Sequence, residues 1–446
     1  MFVEPTETMS HDYMLQAYFE GAVRALLPRK AKDAPVSEQE LQRFATVFDF
    51  KANAQLAIPN DRGKSALSDL DIDATCQKIM QKSHAALVSA FLKALCVMYR
   101  DSPASTSQSQ PPKPNLIAAH GMLKRLSGLF VEQFSDLIEL PVSRGITSTL
   151  SLYNEAACAQ TRLQANAEDS LNSPVAECIM LLSKVFGLSV LSRTDPLQNK
   201  RRCVVPVASL LLQNYLGDGK FFFCEKLLRE MSTAIDLAKD LADFPKKDAV
   251  KMSYYVGKLA TIRGRYQEAQ QHLTFAFLNC HRDNAGNARR ILRLLVPVKM
   301  LLGEVPNEKF LTSNGLQLLV PLVTAVREGQ LGAFRRFLEK HQNVLARWDV
   351  LLTLERLEVI VFRNLVRIVK TMLHTHRIPL PDIEVAMRLS GCEPRECEPG
   401  QAACHLANVI ELGLIRGNIS HEHQILVVSE VLAFPEAQKI LVKIHP

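Results

Sequence analysis

No apolar run reaches the ~18 residues needed to cross a membrane. The opening MFVEPTETMSHDYM carries acids and lacks the apolar core of a secretory signal. Both absences point to a soluble, intracellular chain with no membrane partner. No C-x-x-C pair occurs among the ten cysteines. They sit within apolar runs, Cys96 in LKALCVMY, Cys178 in AECIMLL and Cys224 in FFFCEKLL. That is the usage of reduced, buried thiols rather than of a disulfide framework. Charge of one sign is not in large excess either. A net +7 permits contact with nucleic acid or an acidic protein without requiring one.

The catalytic motifs are missing as well. DRGKS imitates the end of a phosphate loop, but the glycine required five residues before Gly63 is Ile58. No Gly-x-Ser-x-Gly elbow and no Gly-rich dinucleotide loop is present. Cys392, Cys397, Cys404 and His405 lack zinc-knuckle spacing. His421-x-His423 lacks the following Pro and the later Ser-x-x-Asp of a metalloisopeptidase. The expectation is a non-enzymatic chain without metal or cofactor.

What is present is helical periodicity. Asp12–Leu27 places Leu15, Phe19, Val23 and Leu26 on one face. Asp71–Arg100 reads as one or two further helices. DSPASTSQSQPPKPN, residues 101–115, has no large apolar residue and reads as a disordered loop. Helices resume at Leu116, and LSRTDPLQNKRR (191–202) precedes a denser C-terminal half.

That half repeats a pattern. Gly219 is followed by Phe221, Cys224, Leu228 and Met231. Gly264 is followed by Tyr266, Ala269, Leu273 and Ala276, and Gly329 by Leu331, Phe334, Leu338 and His341. The offsets match in all three. A tight interhelical turn at glycine, then residues facing the preceding helix, explains them. Gly257, seven residues before its turn, marks a close helix crossing. Spacings of 45 and 65 residues between the turns indicate a degenerate helical-repeat stack.

The last hundred residues differ. A long helix from Asp349 ends before RIPLPD, and PDIEVAMRLSG and EPGQAACHLANVIELG read as two more. Two strands follow, Leu414–Ser420 and Ile425–Ser429, joined by the tip HEHQ. Three helices and a β-hairpin make a winged-helix arrangement. The expected fold is mainly α: a right-handed, tetratricopeptide-like helical-repeat stack ending in a winged-helix subdomain with a small β-hairpin. The segments are N-terminal helices (1–100), the loop (101–115), a helical region (116–199), the repeat part (200–350) and the winged-helix part (351–435).

YYVGKLATIRGRYQEAQQHLTFAFLNCHR, LLVPVKMLLGEVP and LANVIELGLIRGNISHEHQILVVS resemble the PCI-domain family, from about Lys200 to Pro435. The similar branch holds the PCI subunit of a nuclear transcription-and-export complex and signalosome-associated, twelfth-subunit-like paralogues. The resemblance implies a scaffold subunit coupling transcription to messenger-RNA export. It implies a large export-complex scaffold and a small acidic, disordered protein as partners. It also implies a shared basic surface for RNA or DNA without strong sequence specificity. Localisation would be the nucleus, including the nuclear pore, with some cytoplasmic. The alternative is a purely protein–protein scaffold subunit of a signalosome- or proteasome-lid-type complex.

Charge by segment names the candidate residues. Arg282–Arg347 holds eleven basic against five acidic residues, whereas Glu355–Pro446 holds ten against eleven. Arg289, Arg290 and Arg293 share one helix, and Arg335, Arg336 and Lys340 another. Arg356, Arg363, Arg367 and Lys370, spaced 7, 4 and 3, form a narrow stripe. Such a stripe suits phosphates, and equally a solvated face or an acidic partner. Lys200, Arg201 and Arg202 suit a phosphate contact or an import signal. The third winged-helix helix is expected to expose Gln401, His405 and Asn408 and to bury Ala403, Leu406, Ala407 and Ile410. No Arg or Lys stands there to read guanine. Arg416 and the wing-tip His421 and His423 are candidate backbone-phosphate contacts, or an exposed polar tip.

Overall fold

Amphipathic periodicity becomes helix in the long described stretches that carry it, in two units, residues 1–244 and 245–446. The computed structural model describes residues 16–19, 22, 49, 53, 56–57, 71–79, 82–99, 114–132, 140–163, 173–191, 200–236, 240–392 and 400–435. Side chains at 82–84, 140–144, 200, 201 and 242 are not among those described.

In the first unit, α1 (Ile72–Ile79) and α2 (Lys82–Tyr99) form two helices from the segment read as one or two. α3 (Leu116–Glu132), α4 (Leu140–Leu163), α5 (Pro174–Val190), α6 (Val204–Gly217) and α7 (Phe221–Ser232) follow. Successive helices pack on one another from α1 to α3 and from α3 to α7. The starts are set by caps. Asn115 Oδ1 accepts from Ala118 N at 3.2 Å. Ser173 accepts from Ala176 N at 3.2 Å, with Pro174 in the first turn, where its missing N–H costs nothing. Residues 101–113 of the Ser/Pro/Gln stretch lie outside the described residues, as do Leu15, Val23 and Leu26 of the first expected helix. Its described part buries Tyr18, Phe19 and Ala22. α6 is apolar on nearly every side, and eleven of its residues are buried, the signature of a central helix.

The second unit starts with α8 (Lys246–Ile262), α9 (Tyr266–Asn279), α10 (Ala285–Leu301) and the short α11 (Glu308–Ser313). α12 (Val320–Glu328) and α13 (Leu331–Arg347) follow. The turn between α8 and α9 shows how the repeat unit closes. Gly264 takes φ 79°, so Arg265 N reaches back to Ala260 O at 2.9 Å and satisfies a carbonyl the helix end would leave bare. Tyr266, Ala269, Leu273 and Ala276 are then all buried. A Cβ on Gly257 would lie 2.7 Å from Leu273 Cγ, so the missing side chain lets the two helices touch. Fully burying a leucine there contributes about 2 kcal/mol. In the third copy Leu331 and Phe334 are buried as the offsets require. Leu338 and His341 are only half-buried, and Phe337 and Leu345 take their places.

Gly329 and Gly332 join this stack to the winged helix. Gly329 has φ 66°, and an added Cβ would sit 2.6 Å from Leu365 N. A Cβ on Gly332 would sit 2.2 Å from Gly391 O, and Gly332 N donates to Ser390 O at 2.9 Å. Backbone therefore meets backbone at both points. Asn364 Nδ2 donates to Val326 O at 2.8 Å beside them, so a buried polar side chain is satisfied across the same junction.

The long helix expected from Asp349 is two helices, α14 (Leu351–Glu355) and α15 (Glu358–Leu373). No Gly or Pro marks the break. Leu354 and Leu357 are both fully buried, and packing sets the kink that propensity does not. β1 (Arg377–Pro379), α16 (Leu380–Leu389), α17 (Gln401–Glu411), β2 (Gly417–Ser420) and β3 (Ile425–Val428) complete the unit. The three strands form an antiparallel sheet in the order β1-β3-β2. Ile378, Leu426 and Ile419 stand in register across it.

Two expectations are corrected here. RIPLPD is not only a helix stop, since Arg377–Pro379 is a strand, with its proline confined to an edge where no donor is needed. The strand expected from Leu414 begins only at Gly417. Leu414 N is used to close α17 onto Val409 O at 3.0 Å, and Leu414 and Ile415 point into the core.

Gly264 and Gly329 yield a prediction, because both have positive φ but different surroundings. At Gly264 an added Cβ meets only the side-chain tip of Arg356, at 3.0 Å. Gly264→Ala should cost about 1–2 kcal/mol, from the left-handed backbone alone. Gly329→Ala should cost about 1–3 kcal/mol more, because backbone must move. Chemical unfolding of the two variants measures the difference, and equal midpoints would contradict the backbone contact.

Candidate nucleic-acid interface

The first turns of α10 carry Arg289, Arg290 and Arg293 on neighbouring faces, by their spacing of one and three residues. Arg289 lies over Gly315, whose absent Cβ would be 2.7 Å from its Nη2, and its Nε donates to Asn314 O at 3.4 Å. Arg290 is exposed. Arg293 stacks its guanidinium on Trp348, 4.4 Å from the ring centroid. Its Nε is buried and has no hydrogen-bond partner. Burial, and then the charges of Arg289 and Arg290, hold Arg293 below the ordinary guanidinium value. Among the described residues, none of these three arginines pairs with a carboxylate. Lys258, on α8, pairs with Asp349 at 2.7 Å. Tyr254 lies within electrostatic range of Lys258, Arg290, Arg293 and Asp349, and burial pushes its hydroxyl pKa up. Three helical elements thus bring four cations and two aromatic rings together.

Sequence reasoning found the arginines but missed Tyr254, Lys258, Trp348 and Asp349. The single tryptophan and its following aspartate were the available signal. On α13, Arg335 is taken up by Glu358, with Nε 3.0 Å from Oε1, while Arg336 and Lys340 are exposed.

The stripe of four on the long helix does not exist as such. Arg356 follows α14 and turns to Tyr266, with Nη1 donating to its hydroxyl at 2.6 Å. Arg363 is buried, at 9% exposure. Its Nε donates to Leu414 O at 3.1 Å and its Nη2 to Pro435 O at 2.7 Å. Phe434 covers it, 5.8 Å from the ring centroid. Burial, and then the charge of Arg367, lower its pKa. Of the four, Arg367 is exposed and Lys370 half-buried along Phe434.

Arg416 is exposed, with its backbone held by Ala433 and Ser429. His421 and His423 are exposed at the wing tip, where Gln424 takes φ 52°. On α17, Gln401 and Asn408 face solvent, and Ala403 and Leu406 are buried. His405 is instead half-buried against Phe362, at 5.5 Å between rings, and Ala407 is exposed. Cys397 lies outside the described residues, and no group of three metal-ligating side chains occurs among the described ones. Lys200–Cys203 is a 3-10 turn in the first unit. The side chains of Lys200 and Arg201 lie outside the described residues, and Arg202 is half-buried.

Comparison with known proteins adds the family. The PCI-domain profile matches residues 338–430, and the profile of PSMD3-like N-terminal TPR repeats matches residues 182–321. PCI domain-containing protein 2 homolog of Drosophila melanogaster is 31% identical over 354 residues, 78% of this chain and 84% of that protein. The chain belongs to the PCI-domain family.

PCI domain-containing protein 2 of Danio rerio is 28% identical over 366 residues, 82% of this chain and 88% of the relative. Protein CSN12 homolog of Neurospora crassa is 28% identical over 284 residues, 60% and 62% of the two chains. The PCI match runs from within α13 to just past β3, so it takes in Arg363, Arg416 and the wing tip. The TPR-like match contains Gly219, Gly257, Gly264 and the α10 arginines. No described helix is long and apolar enough to cross a membrane.

Arg363 and Arg367 give a direct test of burial against exposure. Arg363→Met should lower the unfolding free energy by about 2–3 kcal/mol, because two buried carbonyls lose a charged donor. Arg367→Ala should change it by less than about 0.5 kcal/mol. Thermal or denaturant unfolding measures both, and a neutral Arg363→Met would refute the buried clamp.

Proposed function

We propose that this PCI-domain protein is a non-catalytic scaffold subunit of a nuclear complex coupling transcription to messenger-RNA export. It presents a basic surface to RNA or DNA together with a larger scaffold partner and a small acidic, disordered one. The observation that carries the nucleic-acid part is the group Arg289, Arg290 and Arg293, three guanidinium groups side by side without a carboxylate partner among the described residues. Guanidinium groups so placed favour phosphate, which they hold bidentately. Arg336, Lys340, Arg367 and Arg416 are further exposed cations of the same unit. Arg363 is left out of the surface, since its donors are committed to backbone carbonyls. Polar α17, with Gln401 and Asn408 outward, fits binding without base-specific readout. The work is done in the nucleus, where such an export scaffold would meet its cargo.

A second reading keeps the scaffold and removes the nucleic acid. It is supported by the similarity to Protein CSN12 homolog and by the short edge strand β2, whose outer side is open to strand addition among the described residues. The subunit would then serve a signalosome- or lid-type complex through protein contacts alone.

Binding of a labelled RNA oligonucleotide, measured over a range of salt, tests the first reading. Wild type should bind with a steep salt dependence, and Arg289→Glu/Arg290→Glu should bind about tenfold or more weakly. Equal affinities would remove the nucleic-acid role. Affinity purification recovering signalosome or lid subunits without an export scaffold would favour the second reading.

A further inference from the structure

The end of α13 repeats the turn seen at Gly264, with one substitution. Val350 N reaches back to Leu345 O at 3.2 Å, and Asp349 N to Ala346 O at 3.0 Å. Within the second unit the same backward bond closes turns at Gly264, Gly303, Gly315, Gly329, Gly391 and Gly413. Here the left-handed residue is Asp349, at φ 58°. Glycine adopts that conformation freely, whereas other residues are strained by it, and strain of this kind collects at functional positions. The aspartate's side chain has a use. Its Oδ2 lies 2.7 Å from Lys258 Nζ, and the lysine side chain is only 17% exposed. The residue before it, Trp348, carries the guanidinium of Arg293. Arg289 and Arg290 lie within electrostatic range of Arg293. One carboxylate therefore pairs with Lys258 next to the ring that carries Arg293.

We propose that Asp349 is an internal counter-anion to Lys258 within the basic group carried by α8 and α10 beside the turn after α13, and that a nucleic-acid phosphodiester binds there by displacing it from Lys258. The proposal rests on the nucleic-acid reading above and specifies how its site is held when empty. An ion pair whose carboxylate is half-exposed is weak enough to be exchanged. A phosphate group held by Lys258 and by bidentate arginines makes stronger, charge-assisted bonds than the carboxylate does. Asp349 thus balances the charge of Lys258 without ligand and sets a threshold that the ligand must exceed.

The test uses the full chain, a labelled oligouridylate and fluorescence anisotropy across a salt series. Asp349→Asn keeps a residue that accepts the left-handed backbone and removes the charge. It should bind roughly fivefold more tightly, with a salt slope steeper by about 0.7, the contribution of one more phosphate contact on a single strand. Glu339→Gln, an exposed position on α13, adds the same charge elsewhere and should change affinity by less than about twofold. The gain should disappear in Asp349→Asn/Lys258→Met. Asp349→Gly, which fits the turn without strain, should reproduce the gain if Asp349→Asn folds poorly. A gain no larger than that of Glu339→Gln, or one that survives Lys258→Met, overturns the displacement and leaves the nucleic-acid reading standing. Failure of the wild type to bind the probe overturns both.

Discussion

The second unit depends on two places where backbone touches backbone. Gly329 brings the end of α12 against the amide of Leu365, and Gly332 brings the start of α13 against the carbonyl of Gly391. Any side chain at these positions would hold the repeat helices away from the winged helix. Close approach there permits Asn364 to reach Val326 O and lets one apolar core run from Ala260 to Ala433. Packing of this density makes the arrangement stiff, since interiors tolerate neither gaps nor insertions of even a methylene group. The positions of the arginines on α10 and of the wing are fixed relative to each other by these contacts.

Much of this was legible in the residues. The offsets after Gly264 identify all four inward residues of α9, because a regular helix leaves no freedom once the turn is fixed. The three winged-helix helices and the hairpin were also readable. What failed did so for tertiary reasons. The kink between α14 and α15 has no Gly or Pro, and it arises because Leu354 and Leu357 must both enter the core. β1 is three residues long and ends in proline, too short for any alternation to show.

The site was less legible than the fold. Spacing alone placed Arg356, Arg363, Arg367 and Lys370 on one stripe, yet periodicity does not tell a solvent face from a face that later elements cover. Leu414, Phe434 and Pro435 cover Arg363, and they lie some fifty and seventy residues further along the chain. Lys258 comes from one segment and Trp348 with Asp349 from another, and they meet only through stacking of helices. No local motif announces such a meeting. Cationic clusters built this way are found by asking which charges lack partners, not by matching a pattern.

The clamp at Arg363 has a practical consequence at the far end of the chain. Its Nη2 holds Pro435 O at 2.7 Å, and Lys370 and Arg363 flank the ring of Phe434. Residue 435 is therefore a mooring point on the winged helix. A fluorophore or crosslinker placed at residue 435 itself starts from a known location. A short tether keeps such a group at high local concentration beside α15. A label placed there senses events at the winged helix, and one intended to follow α8 to α10 belongs elsewhere in the sequence.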